Sequence, residues 1–245
     1  MLTTWPVSGL TVTTPRVELR WPTLADLDAL ARRGAEGVHD PAFMPFFSQW
    51  TDGPPDTVAH RVLQRLWTAM GTWTAEDWTL YLVVVCDGEV AGAQSLGGRN
   101  FAVTREGLLT SWLGRRFQGR GIGTHARAAM LNLAFAGLGA DYAVSVVRQD
   151  NTVSQRVCKR FGFVRDGVQV NAVRGGQTFS DRYRLDRQTW EAHATIPVRI
   201  AGLEPALPMF GLTPQPAAPP GMAALPTAEA LSGIRYDGHG DHAID

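Results

Sequence analysis

Apolar residues recur along this chain in two rhythms, and the rhythm changes where glycine and proline fall. Arg16-Val-Glu-Leu-Arg-Trp21 alternates polar and apolar side chains, the pattern of a half-buried strand. Leu24, Leu27, Leu30 and Ala31 then repeat at helical spacing behind Thr23, an N-cap residue, with Asp26 and Asp28 in the first turn and Gly34 and Gly37 at the end. A second helix is predicted over about Asp56 to Gly71, with Val58, Val62, Leu66 and Met70 on one face. Leu80 to Cys86 reads as a buried strand, Asp87-Gly88 as a hairpin turn, and Glu89 to Leu96 as the returning strand closed by Gly97-Gly98. Leu108 to Leu113 is the next strand. Ile122, Ala126, Met130 and Leu133 mark a helix that stops at Gly137 and Gly139. Tyr142 to Val147 is a short strand, Asn151 caps a helix carrying Ser154, Val157 and Cys158, and Phe163 to Val173 with Gln177 to Leu185 form a hairpin around Gly175-Gly176. The predicted fold class is α/β (α+β), a mixed, largely antiparallel central sheet flanked by helices.

Two stretches fall outside these rhythms. Residues 1–15 read as a loose arm. His39 to Pro55 carries prolines at 41, 45, 54 and 55, so its apolar group of Phe43, Met44, Phe46, Phe47 and Trp50 is presented by an irregular loop, packed on the core or lining a site. Residues 186–212 keep apolar side chains such as Trp190, Ile200 and Phe210 and are expected to pack back on the domain, giving one domain over 16–212. From 213 to 245 the chain is rich in proline and alanine, and a disordered tail is expected.

Composition narrows the partners. The formal net charge is zero, with 23 basic and 23 acidic residues, which recommends neither nucleic acid nor an anionic membrane. Cys86 and Cys158 are far apart, with no disulfide or zinc spacing, and no signal segment or apolar run of membrane length occurs, so a cytoplasmic protein is expected. The tail's Tyr236-Asp-Gly-His-Gly-Asp-His242 lacks the fixed geometry a metal site needs; no metal is expected. A homodimer is compatible with the sequence.

The positive charge that matters is local. Between strand and helix stand Gly114, Arg115, Arg116, Gln118, Gly119, Arg120, Gly121, Ile122, Gly123 and Thr124. Glycines bare the backbone so that N–H groups at a helix N-terminus can close on an anion, helped by the helix dipole and the arginines. A nucleotide P-loop is excluded, since no lysine follows Gly123. A dinucleotide fingerprint from Gly119 fits poorly, with threonine where its third glycine belongs. A plain tight turn requires one glycine, not three. Gln/Arg-x-x-Gly-x-Gly/Ala, met by Gln118, Gly121 and Gly123, is the loop that holds the pyrophosphate of coenzyme A.

With Trp112-Leu113 before the loop, Asp150-Asn-Thr-Val-Ser154 after it and Lys159-Arg-Phe-Gly-Phe163 beyond, the chain resembles the GNAT superfamily of acyl-CoA-dependent N-acyltransferases. It is most similar to the branch containing the ribosomal-protein N-terminal acetyltransferases, from about Val17 to Leu185 and most strongly from Ser111 to Phe163. The resemblance implies a strand splayed from its neighbour, exposing backbone near Trp112 and Leu113 to the pantetheine arm. It implies contact of Asn151 with a pantetheine amide and Ser154 near the sulfur. It places the aromatic loop, through Phe43, Phe46, Phe47 and Trp50, on the acceptor wall.

The family's carboxylate position on the strand before Trp112 aligns with Leu108, and the matching position on the next strand is Val146. Glu106, Glu76, Asp77 and His60 remain as candidate bases, and Glu106 is carried forward with Ser154 as the catalytic pair. An α-amine, with a pKa of about 7.7–8, is roughly a tenth neutral at pH 7, whereas a lysine side chain at about 10.4 is neutral on the order of 0.04% of the time. Weak bases therefore point to an α-amine acceptor. The expected function is acyl transfer, with acetyl as the default group, from acetyl-CoA or another acyl-CoA to a peptide or small-molecule amine by direct attack in a ternary complex. The alternatives are a longer or carrier-protein-bound acyl donor and a non-catalytic acyl-CoA binder.

Overall fold

The strand Asp77–Cys86 (β3) alternates buried and open positions at its start and is continuously buried from Leu82 onward. Such a strand is covered on both faces. One face, through Leu80, Leu82 and Val84, joins a core with Ile122, Ala126, Met130 and Phe135; the other, through Val83 and Val85, joins Leu27, Leu30, Val58, Val62 and Leu66. The result is helices on either side of one sheet. In the computed structural model, residues 2–213 are described.

The sheet has nine strands: Thr11–Thr13 (β1), Glu18–Arg20 (β2), β3, Glu89–Arg99 (β4), Glu106–Leu113 (β5), Tyr142–Arg148 (β6), Val164–Val173 (β7), Gly176–Asp186 (β8) and Arg199–Ala201 (β9). Their order is β7-β8-β6-β5-β4-β3-β2-β1-β9, and every neighbouring pair is antiparallel except β5 with β6. The mixed, largely antiparallel sheet is therefore as the sequence predicts. A parallel pair needs a crossover, here the helix Ile122–Asn132 and the π turn that continues it. The helices are Leu24–Ala35 (α1), Pro55–Gly71 (α2), the single turn Phe101–Thr104 (α3), Ile122–Asn132 (α4), Thr152–Arg160 (α5) and Arg187–His193 (α6).

Local signals set the ends. Thr23 and Asp26 form a reciprocal capping box at α1. Asp87 and Gly88 both have positive φ, as a two-residue type I′ turn demands. The same geometry recurs at Arg174 and Gly175, so the second hairpin turns one residue earlier than Gly175-Gly176.

Two expectations are corrected. The first fifteen residues are not a loose arm: Pro6–Gly9 is a 3-10 turn, β1 pairs with β2 and β9, and Val7, Leu10 and Val12 have no solvent exposure. Gly97-Gly98 does not end β4, which runs to Arg99. A Cβ on Gly98 would stand 2.4 Å from Cζ2 of Trp78, so the glycine clears room for an indole lying across the strand. Trp78 in turn packs on Trp73, Phe101 and Phe210, and Trp73 Nε1 donates to the Met209 carbonyl at 2.8 Å, which fixes the segment after α6. The Pro/Ala-rich tail from residue 214 onward, with its His/Asp cluster, lies outside the described residues. Among those residues no helix is long and apolar enough to cross a membrane.

Because Leu10 is fully buried between the first turn and the sheet, Leu10→Ala should destabilise the protein by about 2–5 kcal/mol, the usual range for a truncated core leucine. Urea unfolding measures it; a change within experimental error would return this segment to a dispensable arm.

Candidate active site

β5 and β6 pair over only three positions, Glu106 with Tyr142, Gly107 with Ala143 and Leu108 with Val144. Beyond them the strands separate. β5 stays on β4 as far as Gly92 opposite Leu113, and β6 stays on β8 as far as Arg148 opposite Ser180. A Cβ on Gly92 would lie 2.2 Å from the Trp112 carbonyl, so this glycine permits the close approach that draws β5 away from β6. The edge of β5 from Leu109 to Leu113 is left without a strand partner on the β6 side.

At the end of this gap the chain enters the glycine loop. Gly114 sits on the buried Arg33, whose Cδ would be 2.3 Å from a Cβ there. Arg33 Nε donates to the Val90 carbonyl at 3.0 Å, and its guanidinium stacks 4.9 Å from the Phe117 ring centroid. The Gln118 amide donates to the carbonyls of Val38 and Leu113, at 2.6 and 2.8 Å. Its side chain thus braces the loop against the segment after α1. Gly119 and Gly121 have φ of +71° and +79°, and Gly121 leads into α4, whose first N–H groups have no side-chain cap. Arg116 pairs with Glu89, whereas Arg115 and Arg120 make no ion pair among the described residues. Uncapped donors, a helix dipole and exposed guanidiniums form a cradle suited to a pyrophosphate.

A cavity of about 240 Å³ opens between the separated strands. Trp112, Asn151, Ser154, Phe46, Phe47 and Trp50, far apart in sequence, all border it. Asn151 caps α5, its Oδ1 accepting from Ser154 N at 3.1 Å, and its side-chain NH₂ makes no hydrogen bond among the described residues. Trp50 is both core and wall: it is buried, and its ring lies 5.2 Å from Trp112 and 5.0 Å from Phe46. Phe43 does not border the cavity.

Glu106 stands at the other end of β5. Its carboxylate accepts from Arg182 at 3.1 and 3.3 Å and lies 3.1 Å from Arg184, so its lone pairs are engaged. It borders a second cavity, about 580 Å³, with Asp77, Arg99 and Arg182; the two cavities share Phe47, Thr110 and Val146. Among the described residues no Asp, Glu or His borders the Ser154 cavity, and His60 is exposed on α2. Among the described residues no group of three or more His, Cys, Asp or Glu is placed to hold a metal ion. Sequence reasoning missed Arg65, Ser111, Arg127 and Ser145 on the small cavity. For Arg127 the signal was present: it is the one charge in the run Ala126 to Leu131.

The aromatic loop is latched from across the sheet. Arg174, in the β7–β8 turn, donates from Nε and Nη2 to Asp52 at 3.0 and 2.5 Å and from Nη1 to the Pro41 carbonyl at 3.0 Å. The Arg174 bonds hold the Asp52 carboxyl below the ordinary carboxylate range.

Residues 16–164 match the family described as Acetyltransferase (GNAT) domain. A Bacillus subtilis (strain 168) protein named "Putative ribosomal N-acetyltransferase YdaF" is 29% identical over 110 residues, 43% of this chain; the match spans 58% of that relative's length. Mycobacterium smegmatis RimJ, solved in complex with CoA-disulfide, superposes with a TM-score of 0.60 at 21% identity, over 75% of this chain and 90% of RimJ. RimL, a ribosomal L7/L12 α-N-protein acetyltransferase solved with coenzyme A, gives 0.53 at 19%, over 72% and 97%. At these identities the two structures establish a shared fold.

Asp52→Asn should loosen the aromatic loop, read as faster amide exchange over residues 39–54 with α4 unchanged. In the wild type the latch is complete above the free carboxyl's pKa of about 3.9 and is lost as pH falls through the depressed folded value. Equal exchange in the variant and the wild type at neutral pH would show that the latch does not order the loop.

Proposed function

The chain belongs to the GNAT acetyltransferase family, and on that premise we propose that it transfers an acetyl group from acetyl-CoA to a primary amine, by direct attack in a ternary complex. The observation that carries the reading is the gap between β5 and β6, which runs from the uncapped start of α4 to a cavity bordered by Asn151 and Ser154.

The backbone N–H groups of the Gly119–Thr124 loop hold the pyrophosphate, with Arg120 adding charge. Gln118 acts through the loop's shape, since its amide is already bonded to two carbonyls. The unpaired edge of β5 near Trp112 and Leu113, faced by the free amide of Asn151, takes the pantetheine amides. Ser154, on the same cavity as Asn151, orients the proton donor to the departing sulfur, and a thiolate needs only a mild acid.

An α-amine fits the acceptor side. With no carboxylate or imidazole of the described residues on the small cavity, the amine arrives neutral, and an α-amine does so far more often than a lysine side chain. The name of YdaF points to a ribosomal acceptor, and that of RimL to the α-amine of a protein. Phe46, Phe47 and Trp50 supply an apolar wall, and the cavity beyond Phe47, with Asp77, Glu106, Arg99 and Arg182, suits the polar flank of a peptide.

Gly123 tests the pyrophosphate cradle cleanly. Its φ is not positive, and a Cβ there meets nothing closer than Leu113 Cδ1 at 3.6 Å. Aspartate in a helix's first turn is favourable for folding. Gly123→Asp should keep its melting temperature and lose CoA binding by isothermal titration; unchanged affinity would remove the cradle from this role.

Ser154→Ala should lower kcat by roughly tenfold to a hundredfold with CoA affinity kept. On an α-amine peptide, kcat/KM should rise with pH toward the amine's own pKa, and Glu106→Gln should leave that profile in place. A wild-type inflection well below the amine's pKa that Glu106→Gln abolishes would establish Glu106 as a base. CoA binding without turnover on any amine of a peptide and small-molecule panel would make the protein a binder instead.

A further inference from the structure

Arg127 is a charge in an apolar setting. In α4 it stands among Ala126, Ala128, Ala129 and Met130, all buried, and is itself 3% exposed. Nη2 donates to Ser111 Oγ at 3.2 Å, while Nε and Nη1 find no hydrogen-bond partner among the described residues. Burial lowers its pKa, but from so high a starting value that the guanidinium stays charged at neutral pH. A buried cation without an anion is costly, and an apolar side chain of similar volume would fill the space more favourably.

Among the described residues none supplies a counter-charge. The small cavity that Arg127 borders has no Asp or Glu on it, and Arg65, the other charged side chain there, is also cationic. Behind it lies Cys158 of α5, whose thiol is pushed up by burial by more than Arg127 draws it down, so it is neutral at pH 7. The missing anion therefore comes with the ligand.

Acyl transfer creates one in this place. The amine's lone pair forms the new C–N bond to the thioester carbonyl carbon, the C–S bond breaks, and its electron pair leaves on sulfur as a thiolate. The proton released by nitrogen passes to water. Arg127 contacts Ser111 on β5 and shares its cavity with Asn151 and Ser154, on the donor side of the site, whereas the polar acceptor cavity lies beyond Phe47. Resting on the acyl-CoA reading above, we propose that Arg127 is a positioning residue whose fixed charge stabilises the CoA thiolate as it leaves, lowering the need for a strong general acid.

The test reads the thiol rather than turnover. Isothermal titration from pH 6 to 9.5 gives the affinities of CoA and of S-methyl-CoA, which cannot ionise at sulfur. If Arg127 lowers the bound thiol's pKa below that of free CoA, titrated in the same buffers, CoA gains on S-methyl-CoA as pH rises, by about tenfold for each unit of lowering. Arg127→Met should abolish that gain while keeping S-methyl-CoA affinity, and Arg127→Lys should keep part of it. Arg65 from α2, Tyr81 from β3 and Cys158 from α5 are the other ionisable groups facing this region; they are the same in the wild type and the Arg127 variants, so the difference between those proteins reads Arg127 alone. A wild-type ratio that does not change with pH, or a full gain in Arg127→Met, overturns the proposal. If the methionine variant does not fold, the wild-type ratio and the lysine variant decide it. Failure of S-methyl-CoA to bind the wild type would overturn the acyl-CoA reading itself.

Discussion

The molecule depends on a pairing that stops. Three residue pairs join β5 to β6, and from Leu109 and Ser145 onward the two strands follow different neighbours. Unpaired backbone at the centre of a sheet is costly unless something satisfies it. Other contacts enforce the separation: Gly92 lets β4 draw in the Trp112 carbonyl, Gly114 rests on Arg33, and Gln118 ties Leu113 to Val38. Each is remote from the chemistry, and together they set the width of the gap in which it is proposed to occur. Arg127 reaches β5 through its bond to Ser111 and borders the cavity in that gap.

The second wall is assembled from segments more than a hundred residues apart. The proline-rich loop cannot form its own ladder of hydrogen bonds, so its order rests on Trp50 packed against Trp112 and on Arg174 reaching over from the β7–β8 turn. Arg174 is placed there by its own positive φ in a two-residue turn. A strand pairing on one side of the sheet therefore positions an aromatic wall on the other. Solvent-exposed as this ion pair is, its bidentate geometry gives it direction, which matters more here than its strength.

What was legible in the sequence was local. The period of Val58, Val62 and Leu66, the capping residues Thr23 and Asn151 and the turn at Asp87-Gly88 all act within a few residues, and the structure keeps them. The glycine loop and the Asn151-to-Ser154 segment are also short-range features: Gly119 and Gly121 take the positive φ that glycine allows, and Asn151 caps the helix that carries Ser154. Long-range pairing was not. Val7, Leu10 and Val12 lack a clear period, and they are buried because β1 finds β9 nearly 190 residues on. Gly98 reads as a breaker until Trp78 is laid across it. Glu106 opens β5 two residues before the expected start at Leu108, and the arginines that occupy it come from β8, Arg182 being 76 positions away.

Charge shows the same division between the whole and the site. The formal net charge is zero, yet the small cavity is bordered by two arginines and no acid, while Asp77 and Glu106 stand in the adjoining one beside Arg99 and Arg182. An ammonium group approaching the small cavity meets positive potential, which favours loss of its proton before entry. The same potential favours negative charge that appears on sulfur or oxygen once the bond is made. A site without a base is thus biased twice in one direction, toward a neutral amine entering and an anion leaving. Both biases grow as water is excluded, because charges interact more strongly in a medium of lower dielectric constant. In the proposed reaction the aromatic loop and Arg127, which border one cavity, therefore act on the same step.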